Sequence, residues 1–169
     1  MVHTELLTDA FDRVRGVVHA ATAGLTGKEL AIRLDSEANS IAWLVWHLTR
    51  VQDDHIAELA NTEQAWTAQG WYERFQLPLP PDSTGYGHSS MDVATVQVDS
   101  AQLLTGYHDA VHEQTTRYIR ELGDSDFSRV IDESWNPSVT LGVRLISVIS
   151  DDLQHAGQAA FIRGVIRRR

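Results

Sequence analysis

Cysteine is absent from this 169-residue chain, which excludes a disulfide, a Cys-ligated metal site and a protein thiol nucleophile. Long apolar runs are also absent, since no stretch reaches the ~20 apolar residues that a membrane-spanning helix needs. The first residues lack the basic region and apolar run of a signal peptide. We therefore expect a cytoplasmic protein with no membrane partner.

Basic residues are few compared with acidic ones. The chain has 14 Lys and Arg against 23 Asp and Glu, a formal net charge of −9. This balance disfavours the neutralisation of phosphates on which nucleic-acid binding depends, so we expect no nucleic-acid partner. The hydrophobic fraction of 43% is that of an ordinary globular protein, and the length predicts a single domain over residues 1–169.

Four segments carry apolar residues at helical intervals of three and four, which predicts four long helices. They span residues 4–23, 41–60, 101–122 and 141–166. Between the second and third lies a crossover, residues 61–100, whose prolines and glycines interrupt any periodicity. Because a long connection permits a parallel step, we expect an all-α four-helix bundle with up-down-down-up topology.

Several aromatic residues are candidates for the wall of a substrate pocket. Long connections in compact domains are often functional, so the crossover aromatics could cover a site or could simply pack over the end of the bundle. The candidates that we carry forward are Trp43 on the second helix and Trp71 and Tyr86 in the crossover.

Polar residues interrupt the apolar frame of the fourth helix. Asp151 and His155 are four residues apart and therefore lie on one face, where both could reach a single ion. Gln158 follows three residues later, on a neighbouring row. Carboxylate oxygen and imidazole nitrogen suit Zn²⁺, Ni²⁺, Fe²⁺ or Mn²⁺. The same spacing also fits a surface ion pair or a hydrogen-bonded core histidine.

A third ligand is predicted on the second helix, where His47 interrupts the most apolar stretch. Burying ionisable groups on two helices costs several kcal/mol unless they are paired or bound to a metal. Asp54, seven residues later on the same face, is a candidate for orienting a ligand or a metal-bound water. It could equally be a solvated carboxylate.

His108 and His112 on the third helix have the same four-residue spacing and form a rival pair. Their neighbours along the chain are strongly polar, which predicts an exposed face for this stretch. We therefore prefer the set that contains His47.

These motifs resemble the DinB-like metal-binding bundles over nearly the whole chain. The resemblance is carried by Trp-His-Leu at residues 46–48, by Asp-Asp-Leu-Gln-His-Ala-Gly-Gln at residues 151–158, and by the long crossover. The branch that is most similar is that of the mycothiol transferases, which is related to the N-terminal domain of mycothiol-dependent maleylpyruvate isomerase. Many members have histidine where this chain has Asp151, and arginine where it has Ala156. A carboxylate occurs at that ligand position in the isomerases, so the resemblance implies His47, Asp151 and His155 as metal ligands.

The resemblance implies that one divalent metal ion, zinc first and otherwise nickel, iron or manganese, activates a small thiol that attacks an electrophile. The partners of the protein are then a small-molecule thiol and an electrophile. The resemblance is also compatible with a homodimer that forms through helix faces. Two alternatives remain open. One is metal-dependent hydrolysis with Asp54 or another carboxylate as general base, and the other is a non-catalytic metal-binding stress or interaction module.

Overall fold

The structure is a computed structural model that describes residues 2–168; Met1 and Arg169, the ends of the expected domain, lie outside the described residues. Within residues 2–168 the chain forms helices and one short hairpin. The helices are α1 (Val2–Thr22), α2 (Gly27–Leu30), α3 (Ile41–Ala60), α4 (Ala65–Ala68), α5 (Trp71–Phe75), α6 (Ser90–Thr95), α7 (Ala101–Glu121) and α8 (Leu141–Ile166), and the strands are β1 (Val130–Asp132) and β2 (Val139–Thr140).

The four long helices α1, α3, α7 and α8 form a bundle in which α1 and α3 both pack against α7 and α8. Along α3 and α7 the contacts rise together in sequence: Thr49 meets His108, and Gln52 meets Thr115. These two helices are therefore parallel, as the long crossover between them predicts. The expected all-α bundle is confirmed.

Helices α3 and α8 run in opposite directions. His47 lies 4.9 Å from His155 between ring centroids, whereas His55, two turns later, meets Arg144, which precedes His155 on α8. The antiparallel pairing brings the middle of α3 against the middle of α8. It positions the polar residues of both helices at one level of the bundle.

Side-chain caps define where the two site-bearing helices begin. The hydroxyl of Ser40 accepts a hydrogen bond from the Trp43 amide at 3.1 Å, and the hydroxyl of Thr140 accepts one from the Val143 amide at 3.4 Å. Such caps satisfy amides that have no partner inside the helix. Both caps lie at the helix starts that the sequence predicts.

The crossover is anchored to the bundle by Asp53, a buried residue of α3. Its carboxylate accepts hydrogen bonds from the amides of Ala65 and Trp66 at 2.9 and 2.8 Å and from the hydroxyl of Tyr107 at 2.7 Å. The guanidinium of Arg50, also fully buried, lies 3.8 Å away. This network fixes the start of α4 against α3 and α7.

The hairpin of β1 and β2 was not expected from the sequence, which shows no convincing alternation. Val130 pairs with Thr140 and Asp132 with Val139, with an irregularity between the two pairs. Strands of three and two residues are too short to carry a period-two signal. Within residues 2–168 no helix combines the length and apolar character needed to cross a membrane.

Candidate metal centre

His47, Asp151 and His155 converge between α3 and α8. One potential ligand atom of each lies within 4.8 Å of the other two, and no other group of three or more His, Asp or Glu in residues 2–168 meets this condition. His47 is buried, and the other two are half-buried. The three residues that the sequence singled out are thus brought together, with a short path to solvent.

The crossover fixes the orientation of the His47 ring. Nδ1 of His47 donates a hydrogen bond to the carbonyl of Thr84, since a carbonyl can only accept. This leaves Nε2 as the free nitrogen. The indole of Trp43 stacks on the same ring at 4.5 Å between centroids, with an interplanar angle of 19°. His47 is therefore held before any ligand arrives.

His155 is oriented in a similar way within α8. Its Nδ1 lies 3.0 Å from Oε1 of Gln158, one turn further along the helix. Its Nε2 lies 3.6 Å from Oδ1 of Asp151. Oδ2 of Asp151 is buried and has no hydrogen-bond partner among the described residues. Each imidazole is thus hydrogen-bonded to a neighbouring oxygen through its Nδ1. Oδ2 of Asp151 remains available to a further partner.

The electrostatics of the three groups are coupled. The Asp151 carboxylate raises the pKa of His155, and His155 in turn lowers the pKa of Asp151. Burial lowers the pKa of His47, which favours its neutral, ligating form. Without a cation the Asp151–His155 pair therefore tends to hold a proton at the position that a metal ion would occupy.

The donor set fits a divalent transition metal. Two imidazole nitrogens and one carboxylate oxygen are a ligand combination found for zinc and related ions. The buried, unpaired oxygen of Asp151 is unfavourable unless a cation or a proton satisfies it. The hydrogen bond that each imidazole makes through Nδ1 is the support that metal-ligating histidines usually have.

His88, which no sequence pattern singles out, supports Trp43. Its Nδ1 accepts a hydrogen bond from the Trp43 indole at 3.1 Å, its Nε2 lies 3.0 Å from the Ser83 hydroxyl, and its ring stacks on Trp46. Burial lowers the pKa of His88, consistent with a neutral acceptor. The contacts of His88 with Trp43 and Trp46 join residues far apart in sequence, and no local pattern signals them.

The other candidate residues occupy different places. Tyr86 lies near the cluster, with its ring 6.1 Å from that of His47, but it is 80% exposed. Asp54 accepts a hydrogen bond from Gln64 at 2.7 Å and is not in the cluster. Trp71 packs against Tyr107 of α7 and under the guanidinium of Arg74.

The prediction that the rival histidines lie on an exposed face is wrong for His108. Its side chain is fully buried between α3 and α7, and Nδ1 lies 3.1 Å from the Thr49 hydroxyl. The prediction relied on the neighbours of His108 along the chain, which are polar. Successive residues of a helix point in different directions, so His108 faces the core while its polar neighbours need not. His112 binds Asp12 near the surface at 2.7 Å. Neither histidine belongs to the metal cluster.

A second carboxyl beside the cluster was also missed. Asp152 is fully buried, and neither of its oxygens has a hydrogen-bond partner in the described part of the chain. Burial raises its pKa well above the ordinary range, which favours the neutral form of the carboxyl group. The sequence pattern selected Asp151 by its spacing from His155 and gave no sign that Asp152 is buried.

A family model and a solved structure are similar to this chain. A family model described as Mycothiol-S-transferase matches residues 6–168. A solved structure described as a conserved protein from Enterococcus faecalis is 32% identical to the chain, covers 98% of each of the two chains and has a TM-score of 0.92. No curated protein matches.

Proposed function

Because the chain belongs to the Mycothiol-S-transferase family, we propose that it transfers a small thiol such as mycothiol to an electrophilic substrate, using a metal ion held by His47, Asp151 and His155. The match confirms the resemblance found in the sequence. The family is one of metal-dependent thiol enzymes, and the observation that carries the proposal is the convergence of three suitable ligand atoms within 4.8 Å.

The three side chains would hold the ion on one side only. Three protein ligands leave at least one coordination position open, which is typical of catalytic sites. A divalent ion there supplies a positive charge that lowers the pKa of a thiol, which is then a nucleophile near neutral pH. We propose zinc first; the mixed nitrogen and oxygen donors also suit nickel, iron and manganese.

The protein residues orient and shield the reactants. Thr84 and Gln158 fix the two imidazoles, and Trp43 covers one face of His47, so the nucleophile has a defined direction of approach. In the transfer a sulfur–carbon bond forms while the bond between that carbon and its leaving group breaks. The leaving group keeps the electron pair, and the thiol proton departs with it. Since the chain has no cysteine, the sulfur comes from the cosubstrate.

Hydrolysis with Asp54 as general base fits the geometry less well. A general base must reach the proton that it removes, directly or through one water. The Asp54 carboxylate is bonded to Gln64, which also binds the guanidinium of Arg50 in the crossover network. We therefore propose thiol transfer as the function.

Metal content tests the site. Elemental mass spectrometry would compare untagged wild type with His47→Ala, Asp151→Ala and the control His112→Ala, which removes a histidine that binds Asp12 instead. We expect about one ion per chain in wild type and in the control, and loss of the ion in the two site variants. Wild type that stays metal-free after incubation with Zn²⁺, Ni²⁺, Fe²⁺ and Mn²⁺ contradicts the proposal.

Turnover tests the chemistry. Loaded protein with mycothiol and a panel of electrophiles should form thioethers, and neither chelated protein nor Asp151→Ala should do so above the uncatalysed rate. Consumption of the electrophile at the same rate without a thiol would instead indicate hydrolysis.

A further inference from the structure

A cavity of about 520 Å³ lies along the end of α8 that follows His155. Its walls come from the connection between α2 and α3, from the first turns of α3, and from α8. The lining residues are Leu34, Glu37, Ala38, Asn39, Leu44, Gly157, Gln158, Phe161 and Ile162. Its volume lies in the range of small-molecule sites.

Two residues of the cavity wall are close to cluster residues along the chain. Gln158 lines the cavity and also binds Nδ1 of His155 at 3.0 Å. Leu44 lies one helical turn before His47 on α3. A molecule in the cavity would therefore contact the Gln158 side chain that holds the His155 ring.

The wall opposite α8 is firmly held. The guanidinium of Arg33 donates to the carbonyls of Ala38 and Ser36 and, at 2.9 Å, to the carbonyl of Ser90. These bonds tie the connection before α3 to the start of α6. The cavity is therefore bounded by ordered backbone on this side.

The lining chemistry selects for uncharged molecules. It contains neither Lys, Arg nor His, and its only charged member is the exposed Glu37. The chain as a whole carries a formal charge of −9. An anionic substrate would find no cationic side chain in the lining, whereas apolar surface finds the side chains of Leu44, Phe161 and Ile162.

Gly157 opens the cavity, and Phe161 forms its rim. A Cβ atom at Gly157 would meet nothing within 4 Å, so space extends directly from its backbone. The ring of Phe161, one turn later, is 64% exposed. Its exposed face is free to stack on a flat substrate.

We propose that this cavity binds the electrophile, and that the electrophile is an uncharged molecule with an apolar, preferably aromatic, body. The role of the cavity rests on the proposed thiol transfer, whereas the chemistry of the bound molecule is inferred from the lining residues alone. The carboxamide of Gln158 accepts from His155 through its oxygen, and its nitrogen is left to donate to a polar group of the bound molecule.

Binding of unreactive probes tests this without relying on turnover. The neutral probe is 2,4-dinitrotoluene and the anionic probe is 3,5-dinitrobenzoate, both titrated into the metal-loaded protein and followed by amide chemical shifts in NMR. We expect the neutral probe to shift the amides of Asn39, Gly157 and Gln158, and the anion to bind at least tenfold more weakly. Equal affinity for the two probes would overturn the proposal.

Gly157→Leu is the main variant, because its side chain enters the open space. Gly16→Leu is the matched control, since Gly16 is an exposed residue of α1 whose added Cβ also meets nothing within 4 Å. Both changes favour the helix to the same extent. We expect affinity for the neutral probe to fall at least tenfold in Gly157→Leu and to be unchanged in the control, with equal metal content.

Phe161→Ala provides a second variant at an exposed position where folding is not at risk. Its affinity for 2,4-dinitrotoluene should fall severalfold, and wild-type affinity in both cavity variants would overturn the proposal. Thioether formation measured in parallel separates the two hypotheses. Transfer that persists unchanged in Gly157→Leu contradicts the cavity assignment alone, whereas probe binding without any transfer contradicts the proposed function alone.

Discussion

Gly85 lies where the crossover passes closest to the metal cluster. Its φ of +98° belongs to the region that L side chains rarely adopt, and a Cβ there would lie 2.4 Å from Nδ1 of His47. The close approach lets the neighbouring Thr84 carbonyl accept the His47 hydrogen bond. A glycine in the crossover thus contributes to the orientation of a candidate ligand on α3.

We predict that Gly85→Ala weakens zinc binding about 10- to 100-fold, the usual effect of losing support for a ligand. The added methyl group must displace the His47 ring or the backbone that holds it. Zinc affinity would be measured by competition with a chromophoric chelator. Gly87→Ala is the matched control, because Gly87 also has a positive φ of +70° but its added Cβ meets nothing within 4 Å. Equal affinities in the two variants would contradict this role for Gly85.

At the residue scale the sequence predicts which residues converge in the candidate site better than it predicts their surroundings. His47, Asp151 and His155 stand out because they interrupt apolar helix faces at a ligand spacing. The crossover contacts made by Thr84 and His88 depend on how an irregular segment folds back over α3. No periodicity encodes that path, so these supporting residues could not be found.

At the scale of elements, the crossover depends on one buried carboxylate. Asp53 accepts from two successive amides at the start of α4 and compensates the buried guanidinium of Arg50. We predict that Asp53→Asn lowers the free energy of unfolding by about 3 kcal/mol, because it leaves the buried Arg50 without its counter-ion and directs an amide N–H at one of the backbone donors. Urea denaturation monitored by circular dichroism measures the change.

Asp54→Asn is the control for this prediction, since the neighbouring carboxylate makes a single hydrogen bond, from Gln64, at a less buried position. We expect that variant to lose no more than about 1 kcal/mol. Equal losses in the two variants would show that the crossover is not anchored through Asp53. The sequence alone could not tell the two adjacent carboxylates apart.

The long helices are predictable for a simple reason. Each of them repeats its apolar pattern over several turns, and Ser40 and Thr140 mark two of the starts. The short helices α5 and α6 and the hairpin of β1 and β2 have too few residues to show any period. Their positions follow from packing against the bundle, which is a property of the folded chain.

At the scale of the whole molecule, the buried His108 makes stability depend on pH. Burial lowers the pKa of His108 to about 3, from an ordinary value of 6.5. As the pH falls, the unfolded chain therefore takes up a proton at this residue before the folded chain does. The stabilising contribution is fully present above pH 6.5 and is lost progressively as the pH falls from 6.5 towards 3.

We predict that His108→Leu removes this part of the pH dependence. Thr49 keeps its hydrogen bond to the Val45 carbonyl at 2.7 Å, so the change leaves no unpaired hydroxyl donor. Between pH 6 and 4 the free energy of unfolding of wild type should fall more steeply than that of the variant, by up to about 1.4 kcal/mol per pH unit. Other titrating groups affect both proteins and cancel in the difference. His112→Leu is the control, because it changes a residue that is hydrogen-bonded to Asp12 near the surface, and it should keep the wild-type slope. Parallel curves for wild type and His108→Leu would contradict the prediction, because they would show that His108 is protonated in the folded bundle as well.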